Sequence, residues 1–125
     1  MNFPSNLKYT KDHEWIRTEG ADAYIGITDY AQSELGDVVY VDISRTDALK
    51  QGETFGTIEA VKTVSDMFAP ASGEVVEINA KVKDVPETLN KDCYNDGWIV
   101  KIKLANPGEL DGLLGVDDYK KLIGQ

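Results

Sequence analysis

The chain has 125 residues, of which 42% are hydrophobic and 28% charged, and its formal net charge is −9. This length fits one domain, and no apolar run is long enough to span a bilayer. The acidic balance, with no cluster of Lys and Arg, excludes a typical nucleic-acid partner, because such binding depends on basic clusters. One cysteine, Cys93, allows no internal disulfide, and with a single histidine, His13, the chain has no zinc-ligand spacing of a familiar kind.

The first residues, MNFPSNLKYTKDHEW, have neither the apolar core of a secretory signal nor the Arg- and Ser-rich character of a transit peptide. We therefore expect a cytoplasmic protein, or one of an organellar matrix if a transit peptide has been removed.

Strand signals dominate the chain. Alternating or β-branched segments separated by glycines predict strands over Asp22–Thr28, Asp37–Ile43, Thr54–Ile58, Val64–Phe68, Gly73–Ile78 and Trp98–Leu104. In the last segment we expect one face to carry Trp98, Val100, Ile102 and Leu104, with Lys101 and Lys103 on the other face.

Helical signals are short. Thr28–Gly36 begins with an N-cap residue and ends with a C-cap glycine, and Pro86–Asn90 predicts one further turn. Asn106-Pro107 predicts the start of a C-terminal helical segment over about residues 106–123, because proline favours the first helical position. Within it we expect one face to carry Leu110, Leu113 and Leu114.

The stretch TIEAVKTVSDMFAPASGEVVEIN places one lysine, Lys62, between two predicted strands. We expect a hairpin over about residues 54–79 that presents Lys62 at its tip, where another enzyme could modify the amine. A catalytic lysine would need burial or a cationic neighbour, and its ionisable neighbours Glu59 and Asp66 are acidic. The residues alone favour a solvated turn lysine.

A weak internal repeat appears at a shift of 37 residues, where Asp22–Asp42 aligns with Glu59–Asn79 and Ile25 takes the place of Lys62. The alignment predicts two related β-units about a pseudo-twofold axis. Chance similarity between β-rich segments is the alternative.

The segment GTIEAVKTVSDMFAPASGEVVEIN resembles the lipoyl-lysine segment of the glycine cleavage system H protein family. Three further blocks resemble that family in the same order: Tyr9–Trp15 (YTKDHEW), Gly26–Val41 (GITDYAQSELGDVVYV), and Asp96-Gly97-Trp98 with IVKIKL followed by Pro107–Leu114. Ser44–Gln51 departs from the family, which often has a loop with proline and glycine there. Some members carry a histidine near Glu34, and no contact of that histidine transfers to this chain.

This resemblance implies a mostly β fold, a two-sheet β-sandwich or barrel-sandwich hybrid of the lipoyl/biotinyl carrier type with short flanking helices, formed by residues 1–125 as one domain. It implies a carrier, not an enzyme. Lipoate joined to the lysine would take an aminomethyl group from glycine decarboxylase to aminomethyltransferase, and dihydrolipoamide dehydrogenase would reoxidise the dithiol. A lipoate-attaching enzyme is the remaining implied partner.

The resemblance also implies the site residues. Lys62 would carry the lipoate, and Glu14, Asp66 and His13 would dock the arm and its aminomethyl group, with Glu14 facing the amine. Glu59 would help the lipoate-attaching enzyme to recognise the hairpin. Plainer alternatives are a surface carboxylate beside a core tryptophan for Glu14, a satisfied polar residue for His13 and ordinary solvation for Glu59.

Other functions stay open at this point. A biotin carrier normally has methionine on both sides of its lysine, whereas Val61 and Thr63 flank Lys62. Lipoyl domains of 2-oxoacid dehydrogenases usually show D-K-A and lack the YTKDHEW block. An H-like protein that relays lipoate or another adduct would have the same hairpin, and a structural β-protein would leave Lys62 unmodified.

Overall fold

The computed structural model describes residues 1–125, in nine strands and five short helical segments. The strands are β1 Lys8–Tyr9, β2 Glu14–Glu19, β3 Asp22–Ile27, β4 Val38–Ile43, β5 Ala48–Leu49, β6 Thr54–Ala60, β7 Val64–Phe68, β8 Gly73–Ile78 and β9 Val100–Leu104. The α-helices are α1 Asp29–Leu35, α2 Ala80–Asp84, α3 Thr88–Lys91 and α4 Val116–Leu122, and a 3-10 helix covers Pro107–Gly112.

Two antiparallel sheets form the body of the molecule. One has six strands in the order β1-β2-β3-β9-β8-β5, and the other has three in the order β4-β6-β7. A cluster of 20 buried hydrophobic residues draws on both sheets, so the apolar faces of both sheets are covered by one core. Val100 and Ile102 belong to this core, while Lys101 and Lys103 are more exposed, as the alternation predicts.

A second buried cluster contains Phe3, Leu7, Tyr9, Trp15, Cys93, Tyr94 and Tyr119. It joins the N-terminal segment and α4 to β2. The Trp15 indole is fully buried there and donates a hydrogen bond from Nε1 to the Cys93 carbonyl oxygen at 3.0 Å. Trp15 and Cys93 are therefore packing residues, and burial raises the pKa of the Cys93 thiol to about 12.

Several sequence predictions need correction. The two paired strands of the lysine hairpin end at Phe68, and the predicted remainder up to residue 79 contains β8, which lies in the other sheet. Trp98 precedes β9 and packs with the second cluster, so it does not share a face with Val100. Leu114 pairs with Tyr9 after the 3-10 helix has ended, whereas Leu110 and Leu113 pack against the main core.

The 37-residue repeat is not structural, because the shift places α1 over β7 and the chain that follows it. The segments that the sequence did not predict are β1, β2, β5 and α2. In β2 the cause is the lack of alternation, since Glu14, Trp15 and Ile16 are buried in succession. Packing on both sides of the sheet hides the period of two.

Candidate functional site

Lys62 lies at the tip of the hairpin formed by β6 and β7, and its side chain is exposed. Glu59 and Val64 are the last residues paired across the two strands. The turn is closed by a hydrogen bond from the Ala60 N–H to the Thr63 carbonyl at 2.8 Å, and the Val61 N–H donates to the Asp37 carbonyl at 3.0 Å. The backbone on both sides of Lys62 is thus fixed while its amine stays free.

Exposed apolar side chains surround this end of the three-stranded sheet. Val61 is 73% exposed, Val64 60%, and Val39 and Tyr40 are about half exposed. Glu59 is exposed on β6 and pairs in register with Tyr40 and Val64. A partner that binds around Lys62 would therefore contact an apolar surface that includes the acidic residue Glu59.

A cleft of about 130 Å³ lies beside the first residues of β7, and we call it the hairpin cleft. Its apolar wall is formed by Ile27, Ala31, Leu35, Ile58 and Met67, and its polar groups come from Asp12, His13, Glu14, Glu34, Ser65 and Asp66. Ser65 is three residues after Lys62, which is roughly 10 Å along an extended strand. A long tether fixed at Lys62 could reach this cleft.

Glu14 forms part of the wall of the hairpin cleft, and it is only 2% exposed. Its Oε1 accepts a hydrogen bond from the Thr10 hydroxyl at 2.6 Å, and its Oε2 accepts one from the Phe68 N–H at 3.2 Å. Burial raises the pKa of Glu14 to about 7, against the opposing effect of these two donors. The alternative of a surface carboxylate is therefore wrong.

His13 adopts a left-handed backbone conformation, with φ of 70°, in the turn before Glu14. Its Nδ1 lies 2.9 Å from the Tyr119 hydroxyl oxygen, and its ring is 4.8 Å from that of Tyr30. Burial lowers the pKa of His13, so the neutral imidazole is favoured. His13 therefore has satisfied contacts of its own besides its place in the cleft wall.

A larger cavity of about 390 Å³ also has Glu14 in its wall, and we call it the outer cavity. Glu14 and Asp12 line both cavities. The outer cavity is lined by Phe68, the last residue of β7, and by Pro70. Both residues are farther from Lys62 along the chain than Ser65 and Asp66, which line the hairpin cleft. The hairpin cleft is therefore the nearer of the two spaces to Lys62 along the chain.

The structure brings three of the predicted site residues together, because Glu14, His13 and Asp66 all line the hairpin cleft, and their docking role stays a prediction. The sequence analysis missed Thr10 and Tyr119. Thr10 could have been found from the chain itself, because a threonine two residues before a turn aspartate is typical of a local hydroxyl-to-backbone turn. Tyr119 could not, since it is 106 residues away from His13.

The comparisons with known proteins agree with this geometry. The family model described as "Glycine cleavage H-protein" matches residues 7–125. The chain belongs to the glycine cleavage H-protein family. Among the relatives of this family, the glycine cleavage system H proteins of Bacteroides fragilis and Chlorobaculum tepidum are each 56% identical to it, over 124 and 129 residues, with 98% and 100% of both chains covered.

The crystal structure of a glycine cleavage system H protein from Mycobacterium marinum is 36% identical and superposes with a TM-score of 0.89, covering 98% of this chain and all of the other. The fold is thus the lipoyl-carrier type of β-sandwich, as expected for the H-protein family. None of the helices has the length and apolar character required to cross a membrane.

Proposed function

We propose that this chain is the lipoyl carrier of the glycine cleavage system, with lipoate attached through an amide bond to Lys62. When bound, the lipoyl group supplies a disulfide that accepts an aminomethyl group and is later reoxidised. The chain carries this cargo from glycine decarboxylase to aminomethyltransferase and then presents the dithiol to dihydrolipoamide dehydrogenase. It is a carrier without catalytic activity of its own, and we place its work in the cytoplasm.

The observation that carries this proposal is the exposed amine of Lys62 at the tip of a hairpin whose backbone is held by hydrogen bonds. An attaching enzyme needs the amine accessible, and the hydrogen bonds at Ala60 and Val61 hold the tip in one place. Glu59 and the exposed valines lie on the surface that this enzyme would approach. Tethering the cargo then raises its effective concentration at each partner's site.

The hairpin cleft fits a tether with a polar end. Its apolar wall suits the hydrocarbon chain of the arm, and the ionised carboxylate of Glu14 can pair with the amine of the cargo. Asp66, which is exposed on β7, adds a second negative charge at the same cleft, and His13 adds a neutral polar group. Held there, the cargo is shielded from water until a partner docks.

The test of the attachment site is Lys62→Arg, with Lys50→Arg as a matched control at another exposed lysine. With lipoate and a lipoate-attaching enzyme, we expect the wild type and the control to gain the mass of one lipoyl group and the Lys62 variant to gain none. In the glycine–bicarbonate exchange assay with glycine decarboxylase, the Lys62 variant should lose all lipoate-dependent activity. A lipoylated or active Lys62→Arg variant would refute the proposal.

The test of the amine partner is Glu14→Ala, with Glu34→Gln as a control in the same cleft wall. Lipoylation should be unchanged, because Glu14 contacts Phe68 at the end of β7 that is away from the hairpin tip. The loaded carrier should hydrolyse about 10- to 150-fold faster, since a hydrogen bond to a charged group is worth about 1.5–3 kcal/mol. The half-life of the loaded carrier, followed by mass spectrometry, decides the matter, and an unchanged half-life would remove Glu14 from this role.

A further inference from the structure

The Thr10 hydroxyl has only one hydrogen-bonding arrangement open to it. Its Oγ1 accepts hydrogen bonds from the N–H groups of Asp12 at 3.2 Å and of Glu14 at 3.1 Å. A hydroxyl oxygen has two lone pairs and one proton, so both acceptor positions are filled. The proton can then point only to Glu14 Oε1, which lies 2.6 Å away.

This arrangement dictates how the Glu14 carboxyl can behave. Oε1 must accept from Thr10, and Oε2 accepts from the Phe68 N–H at 3.2 Å. Two donors to one carboxyl group stabilise its ionised form and restrict rotation of the group. Each oxygen keeps one further lone pair, which is the acceptor that an ammonium group requires.

Resting on the proposed function above, we propose that Thr10 is a positioning residue for carriage of the aminomethyl group. Its hydroxyl, turned toward Glu14 by two backbone N–H groups, favours the ionised form of the buried carboxylate and orients it toward the amine of the cargo. Thr10 itself does not touch the cargo.

Other charged and titratable groups face Glu14 from the neighbouring elements, and none is seen to donate a hydrogen bond to it. They lie in the turn before it, in α1, in β7, in β1 and in α4: Lys11, Asp12, His13, Glu34, Asp66, Tyr9 and Tyr119. The second donor, the Phe68 N–H, belongs to the backbone. Thr10 is therefore the one side chain whose replacement removes a donor from the carboxylate.

The experiment compares Thr10→Val with Thr10→Ser in the unlipoylated protein. Valine keeps the shape of threonine without the hydroxyl, and serine keeps the hydroxyl. The Glu14 carboxyl carbon is titrated by ¹³C NMR, which needs neither lipoate nor the partner enzymes. We expect the Glu14 midpoint to rise by about one pH unit in Thr10→Val and to stay within a few tenths of the wild type in Thr10→Ser.

A purely structural role for Thr10 predicts a different result. Thr10→Val would then lower the free energy of unfolding and leave the Glu14 midpoint where it is, and that outcome would overturn the proposal. A midpoint that shifts equally in Thr10→Ser would overturn it as well, since the hydroxyl would not be the cause.

The second measurement is the lifetime of the loaded carrier against pH. It should lengthen as pH rises through the Glu14 midpoint, and in Thr10→Val this rise should lie about one unit higher. A shifted midpoint with an unchanged lifetime profile would show that Thr10 tunes Glu14 but that Glu14 does not hold the amine. That result would refute the proposed pairing of Glu14 with the amine, and with it the role of Thr10 in carriage, but it would leave the hydrogen bond from Thr10 to Glu14 intact.

If Thr10→Val does not fold, the wild type supplies the test. A hydroxyl proton held in a 2.6 Å hydrogen bond should be visible by NMR and should move as Glu14 titrates. A Thr10 hydroxyl proton that is absent or insensitive to the Glu14 titration would refute the proposal.

Discussion

At the scale of single residues, the packing of Trp15 against Gly26 leaves no room for a side chain at position 26. The two residues are opposite each other in β2 and β3. A Cβ on residue 26 would come within 2.7 Å of the indole ring, which is closer than real contacts allow. The absence of a side chain at Gly26 therefore leaves the space in which the buried indole packs and reaches the Cys93 carbonyl.

We accordingly expect Gly26→Ala to be destabilising. The extra methyl group must displace a fully buried ring, and overpacking of this kind costs about 1–3 kcal/mol. Gly112→Ala is the control, because a Cβ there meets nothing within 4 Å. Urea unfolding followed by tryptophan fluorescence measures both, and equal stability of the two variants would contradict the prediction.

At the scale of elements, the C-terminal helix α4 contacts the turn that comes directly before Glu14 and β2. The Tyr119 hydroxyl oxygen lies 2.9 Å from His13 Nδ1 and 2.7 Å from Thr28 Oγ1, and the Tyr119 ring stacks on Tyr9 at 4.7 Å. Thr28 is the N-cap of α1, where its Oγ1 accepts the Ala31 N–H. One hydroxyl thus connects α4 to the turn before β2 and to the start of α1, both of which border the hairpin cleft.

Tyr119→Phe should loosen this connection while keeping the ring in the core. Removal of the hydroxyl leaves buried polar partners unsatisfied, at a cost of about 1–3 kcal/mol in the free energy of unfolding. Amide hydrogen exchange in the first turn of α1 and in the turn before β2 should become faster. Tyr40→Phe, at an exposed tyrosine, is the control, and a Tyr119 variant that matches it in stability and exchange would argue against the connection.

At the scale of the whole molecule, a buried carboxyl group on the boundary of two cavities makes stability depend on pH. The pKa of Glu14 is about 7 in the folded chain against 4.5 as its ordinary value. Between these two values the folded state holds a proton that the unfolded state has lost, so this group's contribution to stability falls as pH rises. The physical cause is the burial of the carboxyl group, which destabilises its ionised form in the folded chain.

We expect this dependence to disappear in Glu14→Gln. From pH 4.5 to 7 the stability of the wild type relative to this variant should fall by up to about 3 kcal/mol. Chemical denaturation at several pH values gives the difference directly, and Glu59→Gln, at an exposed glutamate, serves as the control. If the difference in free energy of unfolding between the wild type and Glu14→Gln stays constant or increases with pH, the pKa of Glu14 is not raised in the folded chain.

Much of this architecture could be predicted from local patterns, and the parts that could not have a common cause. β3, β4, β7 and β8 and the capped helix α1 were predicted nearly to the residue, because alternation and capping are signals within a few positions. β2 and the two-residue β1 and β5 escaped prediction, because their burial comes from chain distant in sequence. The predicted 37-residue repeat was also wrong. Similar residues form the helix α1 in one half of the alignment and part of the strand β7 in the other, because their surroundings in the fold differ.

The sequence by itself determined that a lysine stands between two strands, and its motifs were enough to indicate the family. The tertiary structure decided the burial, the hydrogen bonds and the protonation of the residues around the hairpin cleft. It buried Glu14, gave its oxygens two donors and placed Asp66 and His13 in the same cleft. The physical reason is that strand period and turn type depend on adjacent residues, whereas burial and hydrogen bonding of a side chain depend on groups that only folding brings near.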